Sequence, residues 1–587
     1  MGLLSQAAKT FDLMRDEIGV LKDDTKYFPL VPLYHVKKRI DLSVLLKSDG
    51  SFESVSKTSE NGIIPASEEA QGRSGTTVAP FPLVDQAKYF IQDEKREVYL
   101  NSLKKWCDFD PNNVSLQAVY YYVAKKSLSN DLGKAGISPK DYLEKNVGWI
   151  VESNGHNIKT WDNKKLVESY TAFFKKESEG KKKEFCMISG QEALPIKIIP
   201  PISKFGLAKL VSSNDKSDYS YRGRFIDSEE ALSVGYDTTQ KAINALSWLC
   251  GNQSVSIGRG YLLCWNPNGI EVQNPTLPLF DNNTEKKVTY TDYKRALEDY
   301  VLAKTSKLLI DKRDVITVIF DTATTGRLST KFYSELSFDD FLKNLASWDK
   351  ECCWYNGRDG EVKSPSLSQM VKFAFGVGET FRVDEKIFSA YFSILIERRV
   401  CNGRIPTEIF RKLVIKCSNL QIYIKDGFKL SDELLFVTCS VMRKYMLDIK
   451  KKEYAMALEK DLQDRSYQYG RLLAVFDKIE QDALSITESK RVSNAIRMQN
   501  MFVRRPGNTS KIILEKLKTG YYPRFSGGKE GLLVFYEKLI GEIMEILSSF
   551  PLSDFDKPLG ETYILGYYLQ KNEFYKKKNT ASEESRV

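Results

Sequence analysis

The amino-acid sequence predicts an α+β protein, in which a mixed-sheet region precedes an all-helical region. Alternating and β-branched apolar runs bounded by Gly or Pro, which are typical of strands, fall before residue 355. After a glycine-rich connector at 354–360, apolar residues recur mainly at helical spacing. A chain of 587 residues is too long for one compact core. We therefore expect an α+β domain over 1–355 and a C-terminal helical bundle over 361–587.

The first region is expected to begin with an amphipathic helix, because apolar residues between Leu3 and Ile18 recur at helical spacing. Alternation at 40–44 predicts a strand. The β-branched run 315–320 predicts a buried central strand, and the alternating segment 327–333 predicts its hairpin partner. A helix at 238–249 is predicted between further strands at 197–199, 254–257 and 261–265.

The second region is expected to be helical. Pro406 stands where a helix begins, and Pro506-Gly507 and the glycines at 527–528 mark breaks between helices. Helices are predicted at 387–399, 407–417, 432–447, 456–479 and 531–547.

Composition limits the function. The formal net charge of +10 suits a nucleic-acid partner without requiring one. The chain has only two histidines, His35 and His156, and no Cys-x-x-Cys pair, so the sequence argues against histidine-rich metal sites and a disulfide framework. Phosphate-loop and nucleophile-elbow motifs are absent. We expect no catalytic residue, metal or cofactor, and, without an apolar spanning run or secretory signal, a cytoplasmic location.

The segment Gly72–Thr77 is a candidate nucleic-acid-binding loop. Its glycines, Gly72 and Gly75, permit positive φ and close approach of another backbone, and Arg73 supplies a planar set of donors suited to phosphate or guanine. Hydroxyls come from Ser74, Thr76 and Thr77, and Lys88 follows in the amphipathic segment after two prolines. An ordinary surface turn has the same composition.

Three further groups combine cations with polar or aromatic side chains. On one face of a predicted strand, Arg327, Ser329 and Lys331 place donors in a row that matches a sugar–phosphate backbone. A second group interleaves aromatic rings with cations, a mixture that stacks on bases and pairs with phosphates, and a third surrounds Pro506. The second group is Asn214, Tyr221, Arg222 and Arg224. The third group is Arg497, Arg504, Arg505 and Lys511. For each group the alternative is an ordinary solvated surface.

Six segments, in chain order, resemble the large subunit of the type I-C CRISPR surveillance complex (Cascade), the Csd/Dvulg-subtype family. They are Gly72–Tyr89, Phe185–Ile196, Leu210–Tyr221, Gly326–Tyr333, Gly470–Val475 and Leu565–Gln570. Departures occur at Phe81, where family members often carry Asn, at Pro200-Pro201, where they carry His-Pro, and at Leu569, where they carry His. Any role of those family side chains does not transfer to this chain.

The resemblance implies a non-catalytic subunit that assembles with CRISPR RNA and with CRISPR backbone and RNA-processing subunits. It implies recognition of the DNA motif flanking the target (the PAM), stabilisation of the R-loop with its displaced single strand, and recruitment of a helicase-nuclease in trans. Residues 73–77 are then expected at the flanking duplex, with Arg327 and Lys331 on phosphate and the cations near Pro506 on the target and displaced strands. The segment from about 456 is implied to be similar to a separate small subunit, with Met456 as the candidate internal start.

Two other classes of function stay open at this point. The 77 carboxylates of the chain are enough to build a metal-dependent nuclease, although none falls into a recognisable cluster. A protein-interaction scaffold without direct DNA contact is the second alternative. Cleavage in the presence of a divalent metal separates the first from a binding subunit, and the salt dependence of binding separates the second.

Overall fold

The structure of the protein is a computed structural model that describes residues 2–22, 24, 26–73, 77–196, 199–211, 233–280, 289–306, 314–322, 326–356, 361–378, 380–424, 429–486 and 491–575. The chain forms two compact units. Unit 1 comprises Met1–Val272 and Asp314–Glu335, and unit 2 comprises Gln273–Arg313 and Leu336–Val587. The units therefore interleave along the sequence, whereas the sequence pattern predicts one boundary, at 355–361, between an α+β domain and a helical bundle.

Unit 1 contains a five-stranded sheet that begins with a long antiparallel hairpin of β1 (His35–Lys47) and β2 (Phe52–Pro65). Three more strands complete it, namely β3 (Asp85–Gln86), β4 (Asn146–Ser153) and β5 (His156–Lys159). The order is β2-β1-β4-β3, with β4 parallel to β1, and β5 also pairs with β4. Alternate residues of β1 are buried in the core together with three tryptophans, Trp106, Trp149 and Trp161.

A second sheet of unit 1 contains the predicted central strand. Its strands are β8 (Val255–Ile257), β9 (Gly260–Trp265), β10 (Asp314–Asp321) and β11 (Ser329–Ser337), in the order β11-β10-β9-β8. A short hairpin of β6 (Glu184–Phe185) and β7 (Glu192–Ala193) lies apart from it. Residues 315–320 are buried inside β10, which confirms the prediction for this run. The predicted strand at 197–199 lies mostly outside the described residues.

The helices of unit 1 cover these sheets. They are α1 (Leu3–Leu13), α2 (Glu68–Gly72), α3 (Lys88–Ile91), α4 (Asp93–Phe109), α5 (Val114–Ala124), α6 (Leu128–Lys134), α7 (Pro139–Tyr142), α8 (Lys164–Glu177) and α9 (Tyr236–Gln253). Helices α1 and α9 bury apolar residues against the second sheet. Helix α1 ends at Leu13, before the predicted end near Ile18, and a 3₁₀ turn follows at Arg15–Glu17.

Unit 2 is mainly helical and includes one small hairpin, β12 (Trp354–Asn356) with β13 (Glu361–Lys363). Its helices up to the π-helical turn at Met446–Lys450 are α10 (Tyr290–Thr305), α11 (Phe338–Cys352), α12 (Leu367–Phe375), α13 (Glu385–Val400), α14 (Thr407–Cys417) and α15 (Lys429–Tyr445). Those after the turn are α16 (Arg465–Ile486), α17 (Asn494–Arg497), α18 (Gln499–Arg504), α19 (Pro506–Gly520), α20 (Glu530–Ser548) and α21 (Tyr563–Tyr575). The mixed-sheet region and the helical region confirm the predicted α+β class.

Two of the sequence motifs meet where α16 crosses α21. A Cβ atom added at Gly470 would collide with the carbonyl group of Tyr563, and one added at Gly566 would collide with that of Tyr467. Beside this contact, Arg471 Nε donates to Gln570 Oε1 at 3.1 Å. These glycines are therefore needed because two helix backbones approach closely. The predicted helix at 456–479 begins only at Arg465, so Met456 lies in a non-helical stretch. Among helices of the described residues, none is long and apolar enough to cross a membrane.

Candidate nucleic-acid interface

The guanidinium of Arg73 is held inside unit 1. Its Nη1 and Nη2 atoms donate to the two carboxylate oxygens of Asp85 at 2.7 and 2.6 Å, and Nη1 also donates to the carbonyl of Ala79 at 3.0 Å. The guanidinium carbon lies 4.7 Å from the ring centroid of Phe81 and 4.6 Å from that of Tyr89. Most of its donors thus have partners within the protein, and two aromatic rings contact the guanidinium group.

Asp85 fixes both ends of the candidate loop. Besides Arg73, its carboxylate accepts the backbone N–H groups of Phe81 at 2.8 Å and of Gln86 at 2.7 Å. Its side chain is fully buried, and that of Arg73 is 16% exposed. A bidentate pair in such a position holds the start of the loop against its end. We call 73–85 the Asp85-closed loop.

The loop leaves a hydroxyl at the surface. Thr77 is exposed, whereas Ser74, Gly75 and Thr76 lie outside the described residues. Arg73 has an organising role that the sequence did not indicate, and its contact with DNA stays a prediction. The residue that sequence reasoning missed is Asp85. The available signal was its place a few residues before Tyr89 in the motif, but only the fold shows its partner.

Two lysines lie near this loop, Lys88 at the start of α3 and Lys38 on β1. The Nζ atom of Lys88 donates to Glu144 Oε2 at 2.6 Å, so this predicted cation has an acidic partner. Lys38, which the sequence did not single out, places its Nζ atom 4.7 Å from the ring centroid of Phe81. Burial and the charge of Arg73 lower the pKa of Lys38. A negatively charged ligand near Lys38 would raise this pKa again.

The predicted group at β11 is exposed, but only two of its three residues, Ser329 and Lys331, lie in the strand. Arg327, Ser329 and Lys331 all expose their side chains, while Leu328 is buried between them. Arg327 precedes β11, which begins at Ser329. The backbone of Arg327 forms an isolated parallel β-bridge with that of Lys209. Lys331 Nζ lies 2.5 Å from Asp321 Oδ2 on β10. This ion pair offsets part of the positive charge of the group.

The cations near Pro506 have different surroundings. Arg497 ends α17, Arg504 ends α18, Arg505 caps α19, and Lys511 lies on α19; all four side chains are exposed. In the part of the chain that the structure describes, none of them forms an ion pair with a carboxylate. Lys511 Nζ lies 4.8 Å from the ring centroid of Phe555. We call these four residues the C-terminal cation group.

Packing fixes the helices that carry this group. Gly507 lies against the ring of Phe555, where a Cβ atom would not fit. Asn508 donates from its backbone and its amide to the carboxylate of Asp556, at 3.0 and 2.7 Å. The start of α19 is therefore attached to the turn at 552–556. The second sequence group, Asn214, Tyr221, Arg222 and Arg224, lies outside the described residues.

The histidines do not form a reactive site. His35 is buried, which lowers its pKa to about 4, and its Nδ1 atom lies 2.7 Å from the carbonyl oxygen of Leu33. His156 is exposed on β5. Within the described ranges, no three His, Cys, Asp or Glu side chains are placed to hold a metal ion.

Comparison with protein families gives one result that covers nearly the whole chain. The model of the family described as CRISPR-associated protein (Cas_Csd1) matches residues 16–575. No curated protein matches the chain. The matched range includes both the Asp85-closed loop and the C-terminal cation group.

Proposed function

Because the chain belongs to the Csd1 family of CRISPR-associated proteins, the large subunits of type I-C Cascade, we propose that it reads the DNA motif flanking the target without cleaving it. As a Cascade subunit it assembles with CRISPR RNA and other CRISPR-associated subunits. We further propose that it stabilises the R-loop and recruits a helicase-nuclease in trans. In this division of labour, base pairing with the RNA reads the target and the protein reads only the short flank.

The observation that carries the proposal is the closure of the loop by Asp85. A small set of donors placed in a groove is enough to read two or three base pairs, provided that their backbone is held in place. The buried contacts of Asp85 with Arg73, Phe81 and Gln86 provide such support. Residues 74–77 are then the flank-reading segment, and Arg73 acts mainly by positioning it.

The C-terminal cation group supports the proposed role at the displaced strand. Exposed arginines without acidic partners bind phosphate without first breaking an ion pair. Arg504 ends α18 and Arg505 caps α19, so two exposed arginines follow one another at the junction of these helices. Lys88 and Lys331, in contrast, exchange one partner for another when they bind phosphate.

We also propose that the segment from Met456 folds as a small-subunit-like product. The stretch before α16 hydrogen-bonds to that helix, since the Lys460 carbonyl accepts from both Gln468 and Arg471. Changing the codon of Met456 to leucine should remove a shorter second product from cells that express the full gene. A shorter product that persists in this variant contradicts the assignment of Met456.

The main test compares DNA duplexes with and without a flanking motif. The assembled complex should bind the flanked duplex more tightly, and Thr77→Ala should reduce this preference more than it reduces binding to single strands. Equal losses on both substrates contradict flank reading. Cleavage of labelled DNA by the purified chain with magnesium or manganese, lost on a single Asp or Glu substitution, would favour the nuclease alternative. Binding that is insensitive to salt would favour the scaffold alternative.

A further inference from the structure

A cavity of about 220 Å³ lies in unit 1 next to the Asp85-closed loop. Its lining comes from the start of β1, from α9, from Gln71 just before the loop and from Phe81 within it. Phe28 and Pro200-Pro201 add apolar walls. The volume is below the range of about 300–1,000 Å³ that is usual for small-molecule pockets, so it suits a group with a single ring system.

Two lysines in this lining lie over aromatic rings of the same lining. Lys37 Nζ is 4.6 Å from the ring centroid of Phe28, and Lys38 Nζ is 4.7 Å from that of Phe81. Lys37 Nζ also donates to the carbonyl of Tyr27 at 2.9 Å. Neither lysine forms an ion pair with a carboxylate of the described chain. We call this cavity the Lys37/Lys38 pocket.

Two polar atoms of lining residues lack hydrogen-bond partners within the described chain. They are Nε2 of Gln71 and Nε2 of His35, both buried. Since the Leu33 carbonyl only accepts, Nδ1 of His35 carries the hydrogen and Nε2 is an acceptor. The pocket residues thus hold one unused donor and one unused acceptor. Buried polar groups without partners are uncommon in proteins, so these two atoms are available to a ligand.

We propose that the Lys37/Lys38 pocket takes up the base of one nucleotide, which replaces the lysine ammonium groups over the rings of Phe28 and Phe81, while the phosphate stays outside the cavity and binds the displaced lysines. A nucleobase has flat apolar faces, which stack on aromatic rings, and an edge that carries both donors and acceptors. The set of rings, lysines and unused polar atoms matches these features. A peptide side chain of similar size lacks the phosphate that the lysines would neutralise.

The source of the nucleotide follows from the position of the pocket, and this step rests on the proposed function. Gln71 precedes and Phe81 follows the segment 74–77, which we propose to read the flank. A base extruded from the adjacent duplex would therefore reach the pocket over a short distance. A free mononucleotide offers the same chemistry, so the test must distinguish the two sources.

The experiment combines abasic scanning of the DNA with pocket variants. An abasic site is placed in turn at each position of the flank and of the first target base pairs, and binding to the assembled complex is measured. At one position, the missing base should weaken binding to the wild type about fivefold, while the same change should have little effect on Gln71→Leu, because coupled groups are not additive. On intact DNA, Gln71→Leu itself should bind about fivefold more weakly.

Thermal unfolding separates this outcome from a folding defect. Replacing an unpaired buried amide by leucine should leave the unfolding midpoint unchanged or raise it. Lys38→Ala should lower affinity in the same position-dependent way as Gln71→Leu. Lys57→Ala is the matched control, because Lys57 lies over the ring of Tyr142 at 5.6 Å, outside the pocket.

A second arm titrates the complex with the four deoxynucleoside monophosphates. If a monophosphate binds to the wild type and not to Gln71→Leu, and no abasic position weakens DNA binding, the pocket belongs to free nucleotides. If neither arm distinguishes Gln71→Leu from the wild type, the pocket proposal is wrong even where the complex still prefers flanked DNA. Loss of that preference alone would instead contradict the proposed function and leave the titration as the deciding measurement for the pocket.

Discussion

The Asp85-closed loop of unit 1 and the C-terminal cation group of unit 2 use arginine in opposite ways. Arg73 has a buried carboxylate, a backbone carbonyl and two aromatic rings as partners. Arg504 and Arg505 are exposed, and no described carboxylate pairs with them. An arginine in a sequence motif is therefore not by itself a phosphate contact. Its existing partners decide whether it supports the backbone or remains available to a ligand.

The largest expected effect is that of Asp85→Ala, which leaves the largely buried Arg73 without its counter-ion. Removing one member of a buried ion pair costs several kcal/mol, and we expect the free energy of unfolding to fall by about 3 kcal/mol. Chemical denaturation measures this change. The control is Glu144→Ala, whose exposed carboxylate pairs with Lys88 and should matter little. If both variants unfold alike, Arg73 is not a supporting residue.

Acidification should destabilise unit 1 next most strongly. Burial lowers the pKa of His35 to about 4, below its ordinary 6.5, so the unfolded chain binds the proton more readily. The stabilising contribution is present above pH 6.5 and is lost as the pH falls towards 4. Between about pH 6.5 and 5, above the titration range of ordinary carboxylates, the loss should be about 2 kcal/mol. Both histidines lie before residue 273, so unit 2 has no corresponding term.

Variants of the two histidines check this assignment. Unfolding of His35→Gln, followed from pH 7 to 5, should show a flatter pH dependence than the wild type. His156→Gln, at an exposed position, should retain the wild-type dependence. A pH dependence that survives in His35→Gln would trace the effect to another group.

A smaller effect, on binding and not on stability, is expected at the C-terminal cation group. The double variant Arg504→Ala/Arg505→Ala should shift the free energy of unfolding by less than about 0.5 kcal/mol. Its negative slope of log affinity against log salt on single-stranded DNA should become less steep by about 1.4, which corresponds to two lost phosphate contacts. Lys126→Ala, an exposed lysine paired with Asp93, is the control. An unchanged slope would place the displaced strand elsewhere.

The smallest effect is expected for Lys331→Ala. Because Lys331 already pairs with Asp321, binding of phosphate replaces one anion by another. We expect a weakening of about twofold, independent of DNA sequence, in the range of exposed ion pairs. Titration with flanked and unrelated duplexes measures it. A loss larger than that of the double arginine variant would reverse the ranking of paired and unpaired cations.

Local patterns predicted much of the fold. The β-branched run at 315–320 is buried in β10, and the predicted helices at 407–417 and 531–547 correspond to α14 and α20. These elements follow from the repeat of apolar residues along a few turns or strand positions. The helix predicted from Met456 failed at its start, because the apolar spacing there continues through a segment that is not helical. Element ends depend on capping and on packing, which periodicity does not contain.

The candidate site, like the fold, could be predicted from the sequence only in part. The sequence marked the loop at 73–77 and the cations around Pro506, and it indicated no role for Asp85, Lys38 or Gln71. Asp85 stands in the motif a few residues before Tyr89, but its role appears only when the fold brings Arg73 and Phe81 to its carboxylate. Likewise, the Gly470 and Gly566 motifs are far apart in the chain and meet only at a helix crossing.

The sequence by itself determined the α+β class, the resemblance to the large-subunit family and the scarcity of imidazole, because these depend on residue types and on short spacings. The tertiary structure decided that two interleaved units share the chain, that Arg73 is held by a buried carboxylate, and that a small pocket lies beside the loop. Such features depend on side chains that are distant in sequence and come together only when the chain packs. The partners of a charged group, and hence its availability to nucleic acid, are set at that step.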